Sequence, residues 1–201
     1  MSEGSGVFRR TAAIAGHTGD HRGAVKLLDH AEPSTRATAL GALARMGALA
    51  ESTVRSALED PSPVVRRRAA ALAIGYPDVS LLAVLADADE EVAEQAAWAC
   101  GEREVAEPAV VETLSGLART HPSPRCREAA VAALGAIGSE SGLAAILDAT
   151  ADRATVRRRA VIALAPFSGP EVDAALALAV GDRDWQVRQA AEDQLGASDV
   201  T

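Results

Sequence analysis

The chain has 201 residues, enough for one ordinary domain or one short array of repeats. Hydrophobic residues make up 48% of it and aromatic residues only 2%, so small aliphatic side chains supply most of the apolar surface, which favours closely packed helices. The net charge of -8 disfavours broad nucleic-acid binding, no apolar run approaches the ~18 residues of a membrane helix, and two cysteines make no disulfide framework.

The N-terminal region predicts a cap helix within residues 1–19. Residues 8–12, Phe-Arg-Arg-Thr-Ala, look like half of the repeating unit described below. The pattern is not that of a signal peptide, because the apolar run after Arg10 is brief and is followed by His17 and Asp20. We therefore expect a soluble, cytoplasmic protein.

A five-residue segment recurs six times after the cap. It begins with a small or β-branched residue or a cysteine, has Arg second in five of six copies, and has Ala fifth. The fifth residues are separated by 27 to 34 positions and are Ala39, Ala69, Ala96, Ala130, Ala160 and Ala191. Such spacing is typical of a solenoid. We divide the array, residues 20–196, into units at 20–47, 48–75, 76–102, 103–138, 139–167 and 168–196, with a tail at 197–201.

Each unit is predicted to hold two helices and no strand. The first helix is apolar at helical spacing, as in Leu81, Leu82 and Leu85 of the third unit. The second contains the recurring segment and begins at a turn rich in Pro, Ser and Asp. It is predicted to end at a glycine, and these glycines are Gly47, Gly75, Gly101, Gly138 and Gly196.

The pattern Asp-x-x-x-x-Val-Arg-x-x-Ala resembles the short HEAT repeats of the phycobilin-lyase-like type. It is complete in residues 60–69 and 182–191, shifted by one residue in 152–160, without Arg in the unit of Val92, and without the leading Asp near Cys126. The resemblance covers roughly residues 20–196. It implies an all-α, right-handed superhelix of about six helix pairs with an N-terminal half-repeat, whose second helices line a concave face.

Helical geometry predicts the role of each position in the second helix. Positions five, nine and twelve share a face with position one and should be buried, with the invariant Ala at the closest contact between helices. The recurring Arg at position two is interpreted as structural, pairing with the Asp of its own turn, as in Asp60 with Arg66 and Asp182 with Arg188. Anion binding by these arginines is the alternative.

Positions three and seven lie roughly opposite the buried stripe and should face the concave side, with position four beside them. The candidate binding residues on this face are Arg67, Arg68, Glu94, Trp98, Glu128, Arg158, Arg159 and Ile162. An exposed Trp beside Arg is typical of binding hot spots. The alternatives are that Trp98 is a core residue and that the arginines form a solvated face. Trp185, at a helix start, is interpreted as packing between the terminal units.

We find no motif for catalysis. The sequence has no Cys-x-x-Cys, Gly-x-Ser-x-Gly or phosphate-binding glycine loop, and it lacks the repeated His-Glu pairs by which deoxyhypusine hydroxylase, a HEAT enzyme, holds iron. His17 and His21 lie at a glycine-flanked turn and are interpreted as loop residues. Cys100 and Cys126 lie at opposite ends of their helices, so no disulfide is expected.

The sequence thus predicts a non-enzymatic scaffold without catalytic residues, metal or cofactor. We expect another protein as its partner, neither nucleic acid nor membrane, and a monomer or weak oligomer. Two alternatives remain. One is a DNA-binding protein or an enzyme like the alkylpurine DNA glycosylases, which also use HEAT-like repeats. The other is chromophore or ligand binding like that of the phycobilin lyases.

Overall fold

The computed structural model describes residues 3–198, with side chains from residue 7 to residue 196. Residues 199–201 of the predicted tail lie outside the described range. Within that range the chain forms thirteen α-helices and no strand. They are α1 (Glu3–Thr18), α2 (His21–Lys26), α3 (Pro33–Arg45), α4 (Glu51–Leu58), α5 (Pro63–Leu72), α6 (Leu82–Leu85), α7 (Glu90–Arg103), α8 (Pro108–Thr120), α9 (Pro124–Ile137), α10 (Glu140–Ala149), α11 (Ala154–Ala163), α12 (Pro170–Ala179) and α13 (Trp185–Ser198).

In chain order, α1 stands alone and is followed by six pairs, from α2 and α3 to α12 and α13. Single 3-10 turns extend α2 over Leu27–Asp29 and α5 over Ala73–Gly75. Every recurring segment falls at or near the start of the second helix of a pair. The prediction of an all-α repeat fold of six helix pairs preceded by a half-repeat is confirmed.

The chain divides into two compact units, residues 1–92 and 93–201, each built by stacking like helices on like. In the first unit α1 packs on α3, α3 packs on α5, and α4 packs against α5. In the second unit α9, α11 and α13 pack in succession, and the first helices α8 and α10 pack on each other. Within each compact unit, second helices therefore pack on second helices of neighbouring pairs.

The invariant alanines lie at the centre of this packing. All six fifth-position alanines are 0% exposed. The ninth position is also buried in five of six pairs, and only Leu195, in the last second helix, is exposed. A methyl group at the fifth position fills the space between stacked helices, which is why a larger residue never occurs there.

Helix backbones approach each other closely at two glycines of the second helices. A Cβ added to Gly101 would lie 2.9 Å from the Cα of Ala133, and one added to Gly135 would lie 2.7 Å from the Cα of Ala163. The fifth-position alanines are fully buried, and their place at the closest contact between helices stays a prediction. Small residues at positions ten and eight of successive second helices allow this close approach.

The glycine rule for helix ends holds at two positions and is wrong at two. Gly47 and Gly138 follow the last residues of α3 and α9 closely and adopt left-handed backbones, with φ of +63° and +65°. Gly101 and Gly196 lie inside α7 and α13 instead. At Gly101 the missing side chain serves packing, as shown above.

The third pair has a first helix of only four residues, α6. Its repeat is the shortest, with 27 positions between Ala69 and Ala96. Pro77 follows the 3-10 turn after α5 closely and leaves little chain for a longer helix. Leu81, Leu82 and Leu85, which predicted an ordinary first helix, thus form a single turn and its flank.

Candidate partner-binding surface

In four repeats the recurring Arg of the second helix binds the Asp of the turn in the following repeat. The Nε and Nη2 of Arg36 donate to the two carboxylate oxygens of Asp60 at 2.8 and 2.6 Å. The same fork joins Arg66 to Asp87 at 2.6 and 2.8 Å. In the second unit of the chain it joins Arg127 to Asp152 and Arg157 to Asp182, at 2.6 to 2.8 Å. We call this series the arginine ladder.

The predicted pairing of each Arg with the Asp of its own turn is wrong. Arg66 donates its Nη1 to the main-chain carbonyl of Asp60 at 2.9 Å, while the Asp60 carboxylate is held by Arg36. Arg188 likewise donates to the carbonyl of Asp182 at 2.7 Å. The planar guanidinium has enough donors for both tasks, so one side chain fixes its own turn and holds the next.

Electrostatics agree with a structural role for the ladder. Hydrogen bonds from Arg66 to Asp87 and from Arg157 to Asp182 hold the pKa of each carboxyl below its usual value, although partial burial opposes the shift. Both carboxyls are therefore ionised at neutral pH. The ladder arginines are engaged and half-buried or buried, which leaves anion binding to other residues.

The ladder lacks one rung, and both partners of that rung are replaced. Ala93 stands where the second helix α7 should carry Arg, and His121 stands where the following turn should carry Asp. The Nδ1 of His121 accepts the N–H of Ser123 at 3.1 Å, as Asp60 accepts that of Ser62 at 2.8 Å. His121 thus keeps the turn-forming bond and loses the ionic one.

The other candidate residues lie on the second helices at positions three, four and seven, which we call the second-helix ridge. In the first unit Arg67 forms an ion pair with Glu91, and Arg68 lies against Gly41, where a side chain would clash with its guanidinium. Both arginines therefore have neighbours within the chain, and Arg67 is exposed.

In the second unit the ridge carries an exposed tryptophan. Trp98 is 49% exposed, which excludes the alternative that it is a core residue. Glu94 pairs with Arg125 at 3.2 Å, and Glu128 approaches Arg159 at 3.7 Å. Exposed pairs of this kind are worth ~0–1 kcal/mol and can exchange their partners for those of a bound protein.

Ile162 and Arg158 of α11 line a groove that they share with α13. The groove has a volume of about 170 Å³, and its α13 wall is formed by Trp185, Gln186, Gln189, Ala190, Asp193 and Gln194. The amide of Gln189 donates to the carboxylate of Asp193 at 2.8 Å, and that of Gln194 donates to the Ile162 carbonyl at 3.3 Å.

The interpretation of Trp185 as a packing residue is wrong, because 64% of it is exposed. It precedes Val187, which is 1% exposed, by two residues. Side chains two residues apart differ by about 200° in direction around the helix axis, so Trp185 points away from the buried stripe. That rotation was the signal in the sequence that would have identified Trp185 as a surface residue.

The described residues also bear on catalysis and metal binding. No group of three His, Cys, Asp or Glu side chains there could hold a metal ion. Cys100 and Cys126 are buried and free, and burial raises the pKa of the Cys100 thiol to about 11, so it is not a thiolate nucleophile at neutral pH. Between residues 3 and 198, no helix has the length and apolar character to span a membrane.

Comparison with known proteins finds a family model that matches part of the chain. Residues 79–165 match the family model for HEAT repeats. No curated protein matches the chain in sequence.

Solved structures share the fold at low sequence identity. An engineered protein is 22% identical, with a TM-score of 0.65, and the match covers 88% of this chain and 95% of that one. A designed armadillo repeat protein in complex with the peptide (KR)4 is 20% identical over 87% and 97% of the two chains, with a TM-score of 0.66. The complex of CpcE and CpcF of phycocyanin lyase from Nostoc is 24% identical over 88% and 76%, with a TM-score of 0.61.

Proposed function

We propose that this chain, a HEAT-repeat protein, is a non-enzymatic scaffold that binds a partner protein through its second-helix ridge. The observation that carries the proposal is Trp98, a large apolar side chain that is half exposed on a second helix. Burying such a residue against a partner removes a large apolar area from water, and tryptophan is enriched among the residues that dominate binding energy.

The pattern of titration supports the non-enzymatic part of the proposal. Catalytic acids and bases need pKa values shifted towards neutrality in an accessible site. Among the described residues, the carboxyls with a shifted pKa are ladder aspartates, and their shift is away from neutrality. The remaining shifts concern arginines and the buried Cys100.

The related structures support a binding role without identifying the partner. The designed armadillo protein holds a peptide, and CpcE and CpcF hold each other. A helical-repeat fold can therefore bind an extended segment or another repeat protein. Among the residues that the structure describes, none favours the lyase or the glycosylase alternative over a scaffold. We place the scaffold in the cytoplasm.

The test is quantitative affinity purification with three versions of the full chain. Wild type, Trp98→Ala and Leu178→Ala are compared by mass spectrometry of the proteins they retain. Leu178 is the matched control, because it is 79% exposed but lies on the first helix α12. We expect at least one protein to be lost with Trp98→Ala and kept with Leu178→Ala. Equal retention by all three versions would rule out Trp98 as the centre of the site.

A gel shift with duplex DNA at low salt separates the nucleic-acid alternative. Phosphate contacts weaken steeply with salt, so a DNA-binding protein should retard the duplex at low salt and release it as salt rises. The scaffold proposal expects no retardation. Salt-sensitive retardation with base excision would favour the glycosylase-like enzyme instead.

A further inference from the structure

We propose that the groove between α11 and α13 binds an extended acidic peptide segment of the partner. A carboxylate of the segment pairs with Arg158, and an apolar side chain beside it packs against Trp185 and Ile162. The inference rests on the proposed function and gives the chemistry of one part of the same surface.

Three consecutive arginines on α11 differ in their exposure and in their carboxylate partners. Arg157 is 7% exposed and donates both edges of its fork to Asp182 at 2.8 Å. Arg159 has a carboxylate neighbour, Glu128, at 3.7 Å. Arg158 is exposed and, among the residues that the structure describes, has no carboxylate within ion-pair distance. Of the three arginines, Arg158 can therefore bind a carboxylate from outside the chain.

Part of the groove is apolar and can pack against an apolar side chain. Trp185 is 64% exposed, Ile162 is half-buried, and Ala190 adds a methyl group to the wall between them. The volume of about 170 Å³ suits one side chain of a peptide rather than a folded domain. An indole ring contributes a large contact area with little loss of conformational freedom.

The two charged side chains of the groove lie one helical turn apart. Arg158 and Gln189 occupy position three of adjacent second helices, and Ile162 and Asp193 occupy position seven. Four residues along a helix correspond to ~6 Å, so the positive and negative groups lie in different turns. Asp193 repels a carboxylate at its end, while Arg158 attracts one at the other, and this fixes the direction of a bound acidic segment.

The polar side chains of α13 complete the fit to an extended peptide. The side-chain amide of Gln186, which also lines the groove, can donate and accept a hydrogen bond at once. A peptide backbone presents alternating donors and acceptors of the same kind. The groove therefore offers a main-chain contact beside the Arg158 and Trp185 subsites.

The experiment measures binding of fluorescein-labelled nonapeptides to the full chain by fluorescence anisotropy. The peptides carry Asp-x-Leu, Asn-x-Leu or Lys-x-Leu at their centre, with Ser and Gly flanks and x varied. We expect the Asp peptides to bind at least about tenfold more tightly than their Asn counterparts, as a hydrogen bond to a charged group implies. The Lys peptides should bind most weakly.

Four variants assign the contacts. Arg158→Gln should bring the Asp peptides to the affinity of the Asn peptides, whereas Arg159→Gln should preserve the difference. Trp185→Ala should weaken Asp and Asn peptides by the same factor, since it removes only the apolar contact. Trp98→Ala should change none of these affinities. Because Arg158 and Trp185 are exposed, unaltered thermal unfolding should accompany both of their variants.

Several results would overturn the assignment. They are equal binding of Asp and Asn peptides, a preference that survives Arg158→Gln, tighter binding of Lys peptides, and no binding up to about 1 mM, which corresponds to about -4 kcal/mol. Peptides that bind regardless of charge and are lost with Trp98→Ala would leave the scaffold function standing and reject the acidic groove. Conversely, Arg158-dependent binding of Asp peptides together with equal retention of all proteins by Trp98→Ala would reject Trp98 as the centre and support the groove.

Discussion

Replacement of Arg157 by Gln should destabilise the chain far more than replacement of its two neighbours. Arg157 is buried and makes three hydrogen bonds, two to the Asp182 carboxylate and one to the Asp152 carbonyl, each at 2.8 Å. Removing it leaves a largely buried carboxylate without its cation. Bonds to charged groups contribute about 1.5–3 kcal/mol each, and breaking a buried pair costs about 3–5 kcal/mol. Since Asp182 keeps 15% of its side chain exposed, we expect a loss of about 2–4 kcal/mol.

The neighbouring arginines are matched controls, because all three residues are in one helix and have the same chemistry. Arg159 is 37% exposed and lies 3.7 Å from Glu128, so Arg159→Gln should cost less than about 1 kcal/mol. Arg158→Gln should lower the free energy of unfolding by about 0.5 kcal/mol at most. Urea unfolding followed by circular dichroism at pH 7 gives the three free energies of unfolding. If the three variants lose equal stability, the ladder does not hold successive repeats together.

The pH dependence gives a second measure of the same rung. The pKa of Asp182 is lowered in the folded state by the hydrogen bond from Arg157. A depressed pKa contributes stability that is complete above the ordinary pKa of Asp, about 3.9, and is lost as the pH falls through the depressed value. The difference in unfolding free energy between wild type and Arg157→Gln should therefore be largest at pH 7 and shrink below about pH 4. An unchanged difference at pH 3 would contradict an ionic origin.

Three further predictions concern the packing and the missing rung. Gly135→Ala should destabilise the chain by more than about 1 kcal/mol, because a Cβ there would lie 2.7 Å from the Cα of Ala163. Gly116→Ala, in open space on α8, is the control and should stabilise by up to about 1 kcal/mol. Thermal unfolding compares the two variants. Ala130→Arg should cost several kcal/mol by placing a charge at a site that is 0% exposed, and an unchanged melting temperature would refute the buried stripe. Ala93→Arg and His121→Asp should each destabilise alone and show a favourable coupling of about 1 kcal/mol or more together, which a double-mutant cycle measures.

The sequence predicted the fold because its signals are periodic. Six alanines at near-constant spacing identified the units, and all six are fully buried. The sequence also identified Trp98 as a surface residue, since position seven lies opposite the buried stripe. It failed where the outcome depends on a neighbouring unit. Asp60 lies six residues before Arg66 in the chain but pairs with Arg36, 24 residues away from it, because stacking brings the next turn beside the fork.

The same reasoning explains why Gly101 was misinterpreted. A glycine near the end of a helix pattern is usually a C-cap, and the sequence alone cannot distinguish that role from close packing. Gly101 lies two residues inside the end of α7, where the backbone of α9 approaches it. The distinction depends on the distance to Ala133, a residue more than 30 positions later in the chain, which no local pattern encodes.

Two classes of position in the second helix can now be separated by how much they vary. Position five is Ala in all six pairs and is buried each time, and position two is Arg wherever the next turn offers Asp. Where Arg is lost, at Ala93, the Asp of the next turn is lost as well, at His121, so the joint carries no unpaired charge. Position three instead differs from pair to pair and reads Ala37, Arg67, Glu94, Glu128, Arg158 and Gln189. Because position three lies outside the buried stripe and its ion pairs are exposed or half-buried, its chemistry can change from one repeat to the next at little cost to stability, as selective binding of an extended partner would require.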